Sequence, residues 1–241
     1  MTAGPWMLEI AGLPGAGKST LATALANALA AHGAEIVPLG PGRRRALSDT
    51  RLARLGHTLR LAARHPALAI SAQRLAEPSR LGLGRVRALL ERLVFFDQLG
   101  ALSAGADRAP LVLLDEGLVQ GVMSLALEAP PHRAARAPRL LRTLLRGRRY
   151  AVLHIAGELD AAAATVASRR ESRGRLDGLP PEIARARLER APAIFHALLA
   201  EVTTPPIEPP TTEGALAWIH TQLGPAWGLR GLRVLTTAQR P

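Results

Sequence analysis

Short apolar runs alternate along this chain with longer stretches of helical periodicity. Trp6-Met7-Leu8-Glu9-Ile10-Ala11 is a brief apolar run that ends at a glycine-rich loop, and it predicts a buried first strand. Residues 19–30 are rich in strong helix formers, with Leu21, Leu25 and Leu29 on one face and Gly33 as a stop. Residues 35–39 predict a second strand, broken by Gly40-Pro41-Gly42. From about 47 to 104 the pattern is helical, interrupted at Pro66, Pro78 and Gly82-Leu83-Gly84. Leu111-Val112-Leu113-Leu114-Asp115 is wholly apolar until its terminal acid, the pattern of a strand buried on both faces. Helical pieces follow at 118–128 and 138–146, separated by the Pro130-Pro131 break. Residues 150–155 predict a fourth strand, 159–170 a helix and 182–201 a further helical stretch. Residues 202–207 suit a fifth strand, confined to a sheet edge by its two prolines. A closing helix at 213–223 precedes an unassigned tail, 224–241.

Alternation of strands with helices predicts an α/β fold: a three-layer α/β/α arrangement about a parallel sheet of roughly five strands. The length of 241 residues suits one domain spanning 1–241, and no repeat or low-complexity linker divides it. The composition adds four constraints. No cysteine is present, which excludes disulfides, thiolate metal sites and a cysteine nucleophile. The seven histidines show no metal-ligand spacing. No leader-like start and no run of 18 apolar residues occurs, so a cytoplasmic chain with no membrane partner is expected. The net charge of +12 would suit a polyanion, but the arginines are scattered and stacking aromatics are scarce. That scatter disfavours nucleic acid as a partner and fits a composition rich in Ala, Arg, Gly and Pro.

Against this background one residue stands out. Lys18 is the only lysine; the other thirty members of the Lys+Arg total of 31 are arginines. It lies in Gly12-Leu13-Pro14-Gly15-Ala16-Gly17-Lys18-Ser19, the G-x-x-x-x-G-K-[ST] pattern of a phosphate-binding P-loop. A lysine ammonium is a compact point charge that reaches between β- and γ-phosphate oxygens, where a planar guanidinium is too wide. Gly12, Gly15 and Gly17 let backbone N–H groups turn toward phosphate, with Pro14 and Ala16 completing the loop. Ser19 offers a hydroxyl to Mg²⁺ and Thr20 one to the α-phosphate. ATP and Mg²⁺ are the cofactors this motif implies.

Candidate chemistry elsewhere is organised around that loop. Asp115 and Glu116 end a buried strand at the ligand-binding edge of a parallel sheet. Asp115 can hold Mg²⁺, and either acid can orient or deprotonate a nucleophile. Arg169, Arg170, Arg173 and Arg175 lie on a glycine-containing segment, about 168–180, able to close over polyphosphate. Arg43 and Arg44, just past the second strand, and Asp97 with Gln98 are candidates to meet an acceptor, within acceptor-binding helices at about 43–104.

The order of these parts resembles the nucleoside and nucleoside-monophosphate kinases, thymidylate kinases in particular, over roughly residues 5–223. The resemblance implies a P-loop kinase fold in which 168–180 is the lid over ATP, with Arg169 and Arg173 acting on the transferring group and Arg170 and Arg175 holding nucleotide. It also implies that the helices after the second strand form the acceptor pocket, and it allows a homodimer. One departure matters. Thymidylate kinases usually carry Asp-Arg-Tyr/Phe/His after the third strand, where this chain has Asp115-Glu116-Gly117. An acid in place of the arginine would repel an acceptor phosphate and suits a neutral hydroxyl instead. The expected activity is therefore ATP-dependent phosphorylation of a small hydroxylated molecule. A nucleoside-monophosphate kinase, a P-loop ATPase acting as a switch and a nucleic-acid end kinase are the alternatives.

Overall fold

Four strands supply the frame, and the side chains of the first, third and fourth alternate between two separate cores. The computed structural model describes residues 6–31, 36–39, 65–75, 111–114, 116–168, 179–202 and 211–223, with helical positions 56, 59, 60, 62, 63, 86, 89, 90 and 93. The elements are β1 (Trp6–Gly12), α1 (Lys18–Ala31), β2 (Ile36–Leu39), α2 (Pro66–Leu75), β3 (Leu111–Leu114), α3 (Leu118–Glu128), α4 (Pro131–Ala134), α5 (Ala137–Leu145), β4 (Arg149–Ile155), α6 (Leu159–Ser168), α7 (Pro181–Glu189), α8 (Ala191–Leu199) and α9 (Thr212–Trp218), which runs into a π-turn at Ile219–Leu223.

The strands form one parallel sheet in the order β2-β3-β1-β4. Leu8 and Ile10 of β1, with Leu111, Leu113, Ala151 and Leu153, face α1 and α9, where Leu25, Leu29, Ala215 and Ile219 complete one core. Met7 and Ala11, with Val112, Leu114, Tyr150 and Val152, face the opposite way into a larger core built by α2, α3 and α5 to α8. Helices thus cover both faces, giving the expected three layers. The strand count differs: the described residues form four strands rather than five. The expected fifth lies beyond Val202 outside the described residues, and Val202 itself is buried but not in a strand.

The break expected at Pro130-Pro131 is present: α3 ends at Glu128, and α4 starts on Pro131, whose missing N–H has no helical partner to lose. One further expectation is corrected. The stretch 182–201 is two helices, α7 and α8, joined at Arg190. There the side chain leaves the helical surface to cap a neighbour: its guanidinium donates to the carbonyls of Ala129 (2.9 Å), Leu127 (3.3 Å) and Ala126 (3.4 Å) at the C-terminal end of α3.

α3 is the best-covered element of the fold, with every residue from Leu118 to Leu127 buried. Its large apolar side chains each contribute roughly 1.5–3 kcal/mol by leaving water. Arg190 meets the partial negative charge of its C-terminus. A carboxylate meets the other end and belongs to the site.

Candidate functional site

β1 and β3 are neighbours, yet the chain leaves them toward opposite faces, to α1 and α3 respectively. Such a switch point opens a crevice at the C-terminal edge of a parallel sheet. Two segments meet there: the glycine loop after β1, and residues 116–117 after β3.

In the glycine loop, backbone shape and crowding both require glycine. Gly15 and Gly17 adopt φ of +79° and +80°, the left-handed region that L side chains rarely enter. Thr165 of α6 packs where a Cβ on Gly15 would project, its own Cβ 2.9 Å from that point. Gly12 is closed off differently, since a Cβ there would lie 2.7 Å from the Ile155 carbonyl oxygen of β4. Among the described residues a Cβ on Gly17 would meet nothing within 4 Å. The Ala16 N–H bonds the Leu13 carbonyl (3.2 Å) and tightens the turn.

Lys18 opens α1 and curls back over its own loop. Its Nζ donates to the carbonyls of Leu13 (2.7 Å) and Gly12 (3.0 Å). This sets a single positive charge at the loop mouth. Ser19 and Thr20 follow it, exposed, and the first turn of α1 contains no acid. The positive end of the helix is therefore uncompensated by its own side chains, and the cationic and N–H-bearing surface favours an anion. A hard cation such as Mg²⁺ takes oxygen ligands, and the exposed Ser19 hydroxyl at this helix start is a donor of that type. Among the described residues no group of three or more His, Cys, Asp or Glu could hold a metal ion by itself.

The second segment is organised by a residue that motif reading passes over. Glu9 stands in the middle of β1 and is completely buried, on the α3 face of the sheet. Its Oε1 accepts from the N–H groups of Gln120 (2.8 Å) and Gly117 (2.9 Å). Its Oε2 accepts from the Val119 N–H (2.9 Å) and the Tyr150 hydroxyl (2.5 Å). Tyr150 in turn accepts from the Leu118 N–H (2.8 Å). Four successive N–H groups at the start of α3, which no helical carbonyl can reach, are thus all satisfied by two side chains from the sheet. Burial pushes the Glu9 carboxyl above its ordinary range, and the donors from Tyr150, Gln120, Val119 and Gly117 act against that rise. Gly117 is what lets the groups approach: a Cβ on it would lie 2.5 Å from Glu9 Oε2 and closer still to the Tyr150 oxygen.

No family model and no curated protein sequence matches this chain.

The structure brings the loop residues Gly12, Pro14, Gly15, Ala16, Gly17, Lys18, Ser19 and Thr20 together at the crevice, with half-buried Glu116 next to Gly117. Register sets their relation. Leu114, the last residue of β3, pairs with Glu9, so Glu116 follows the strand end by two residues and Gly12 lies three residues beyond Glu9 on the neighbouring strand. Gln120 adds a longer link, its Oε1 lying 3.4 Å from the Gly12 N–H. Asp115, Arg43, Arg44, Asp97, Gln98, Arg169, Arg170, Arg173 and Arg175 lie outside the described residues. No described helix is long and apolar enough to cross a membrane.

Glu9, Tyr150, Gln120 and Thr165 were not expected. Of these, only Glu9 carries a readable signal: an acid inside an otherwise apolar strand must find donors when buried.

Proposed function

We propose that this chain is a P-loop phosphotransferase of the α/β/α kinase type, moving the γ-phosphoryl group of ATP to a hydroxyl of a small molecule. The observation that carries this reading is the loop itself. Gly15 and Gly17 in the left-handed region turn the backbone, Lys18 spans the loop mouth, and an acid-free helix start presents Ser19 and Thr20. Lys18 and the loop N–H groups bind and orient the β- and γ-phosphates. Ser19 and Asp115 would hold Mg²⁺, which would supply charge neutralisation for the phosphates.

Glu116, two residues past the end of β3 and directly before the amide that Glu9 holds, is the base in this reading. It takes the hydroxyl proton as the acceptor oxygen bonds to the γ-phosphorus. The bond from that phosphorus to the β,γ-bridging oxygen breaks, and ADP leaves with its electron pair. The arginine segment begins directly after Ser168, three residues beyond the Thr165 that packs on Gly15. That origin supports its role as a lid in which Arg169, Arg170, Arg173 and Arg175 close on the phosphates.

The test is MgATP turnover over nucleosides, nucleoside monophosphates and hydroxylated metabolites, with products identified by mass. A product phosphorylated at a hydroxyl is expected. Lys18→Arg keeps the charge and should lose about 100-fold in transfer, the order associated with one misplaced electrostatic group. Near-normal turnover in that variant refutes the mechanism. Reaction of monophosphates alone replaces the acceptor class, and ADP without a phosphorylated product favours an ATPase switch. Salt-sensitive phosphorylation of oligonucleotide ends favours an end kinase.

A further inference from the structure

Glu9 is buried, acidic and three residues before the glycine loop, yet nothing in the proposed transfer chemistry uses it. Three of its four donors tie β1 to the segment that follows β3, Gly117 N–H at 2.9 Å, Val119 N–H at 2.9 Å and Gln120 N–H at 2.8 Å, and the fourth is the Tyr150 hydroxyl of β4 at 2.5 Å. A helix cap needs only one or two of these bonds, and an acid at the helix's own N-cap position would usually provide them. Here the N-cap residue is Gly117, which makes no side-chain cap bond, and the cap is delivered from a different strand. The consequence is geometric. The strand that carries the glycine loop also holds the backbone amide immediately after Glu116. β1 therefore sets the height of Glu116 relative to the loop through a rigid carboxylate, and Tyr150 of β4 locks that carboxylate from the other side. Gly117 keeps the joint tight, because any side chain there would push Glu9 and Tyr150 away.

We propose that Glu9, locked by Tyr150, is a positioning residue that fixes Glu116 against the glycine loop for transfer to the acceptor hydroxyl. It touches neither nucleotide nor acceptor. The inference rests on the phosphotransferase reading above and adds the residues that determine its geometry. Interactions that only hold a general base in place affect the rate of transfer, whereas nucleotide affinity belongs to the loop and Lys18.

The experiment uses the full chain with MgADP and MgATP as probes. MgADP affinity is measured by titration calorimetry, and ADP formation from MgATP is measured with the pooled hydroxyl acceptors. Glu9→Gln should bind MgADP within twofold of the parent, with an unchanged KM for ATP and kcat lowered tenfold or more. Tyr150→Phe removes one of the four donors while keeping the ring, and should lower kcat by two- to fivefold at the same MgADP affinity. Parental kcat in folded Glu9→Gln overturns the proposal. So does a fall in MgADP affinity that matches the fall in kcat, which would make Glu9 a general support of the fold. Should Glu9→Gln fail to fold, Tyr150→Phe decides by the same two readouts. A parent chain that binds MgADP but forms no ADP with any acceptor removes the underlying reading as well. Turnover that persists in parent and variants alike removes only this inference.

Discussion

Gly117→Ala is a sharp perturbation, because the surroundings leave no room for the added methyl. Gly117 has φ of −111° and ψ of −145°, so alanine brings no left-handed strain. The added methyl would lie 2.5 Å from Glu9 Oε2 and 2.6 Å from its carboxyl carbon, and even nearer the Tyr150 oxygen. Ordinary contacts need roughly 3.4 Å or more, so the carboxylate or the phenol must retreat by close to an ångström. A bond of 2.8 or 2.9 Å stretched that far is no longer a hydrogen bond. At least two buried N–H groups at the start of α3 then lose their acceptor. Each such loss costs about 1–3 kcal/mol, so two give about 2–6 kcal/mol of destabilisation. Typical domain stability is about 5–15 kcal/mol, so the variant should unfold at a clearly lower urea midpoint, followed by circular dichroism.

Two companions isolate the cause. Gly147→Ala probes the opposite case, with φ of +76° and open space around the new Cβ, and should cost only about 1–2 kcal/mol. Tyr150→Phe combined with Gly117→Ala removes the oxygen nearest the methyl and returns part of the space. The double variant should therefore be at least about 1 kcal/mol more stable than the sum of the singles implies. A Gly117→Ala protein within about 1 kcal/mol of the parent, or strictly additive singles, refutes the steric argument.

Arg190→Ala removes the guanidinium that meets three carbonyls at the C-terminus of α3 and should destabilise by about 1–3 kcal/mol in urea melts; no change would mean that those carbonyls are equally well served by water. The Arg142–Glu201 pair, a fork of 2.5 and 2.7 Å, holds the Glu201 carboxyl below its ordinary range, with the hydrogen bond as the leading cause. Its contribution is present above the ordinary carboxylate range and lost as pH falls through the lowered value, so Glu201→Gln should flatten the acid limb of a stability–pH curve. Glu9 acts in the opposite sense: burial raises its value, so its contribution is full at acid pH and lost as pH rises through the raised value. Glu9→Gln should remove that downward slope, and an unchanged profile would contradict a buried titrating Glu9.

Much of the frame was legible because local and tertiary signals agreed. The apolar runs at 6–11, 36–39, 111–114 and 150–155 became β1 to β4, since strands covered by helices on both faces need no polar alternation. Leu25 and Leu29 face the sheet as their spacing implied, and α3 spans residues 118–128 as expected. What escaped was set by groups distant in sequence. Nothing near Arg190 shows that its side chain will be drawn to carbonyls some sixty positions earlier, although the break between α7 and α8 has a local marker in Pro192, in the first turn of α8. Pro130-Pro131, by contrast, is a local signal: α3 ends at Glu128 before that pair, and α4 begins on Pro131.

For the site, the loop could be read from spacing because its chemistry is local: three glycines, one lysine and one hydroxyl within eight residues. The joint that faces it could not, since Glu9 and Gly117 are 108 positions apart and meet only once β1 and β3 are paired. Gly117 was noticed only as the residue beside Asp115 and Glu116. Its meaning lies in what it lacks. Were the sequence Asp-Glu followed by any residue with a Cβ, Glu9 could not reach the amides of α3 and would be a buried acid without partners. Glu9 and Gly117 are therefore one feature in two pieces. The acid in an apolar strand is tolerable only with the glycine, and the missing Cβ has its purpose only with the acid. This argues that substitutions at the two positions are coupled, and that the pair, rather than either residue, is what links the glycine loop to Glu116.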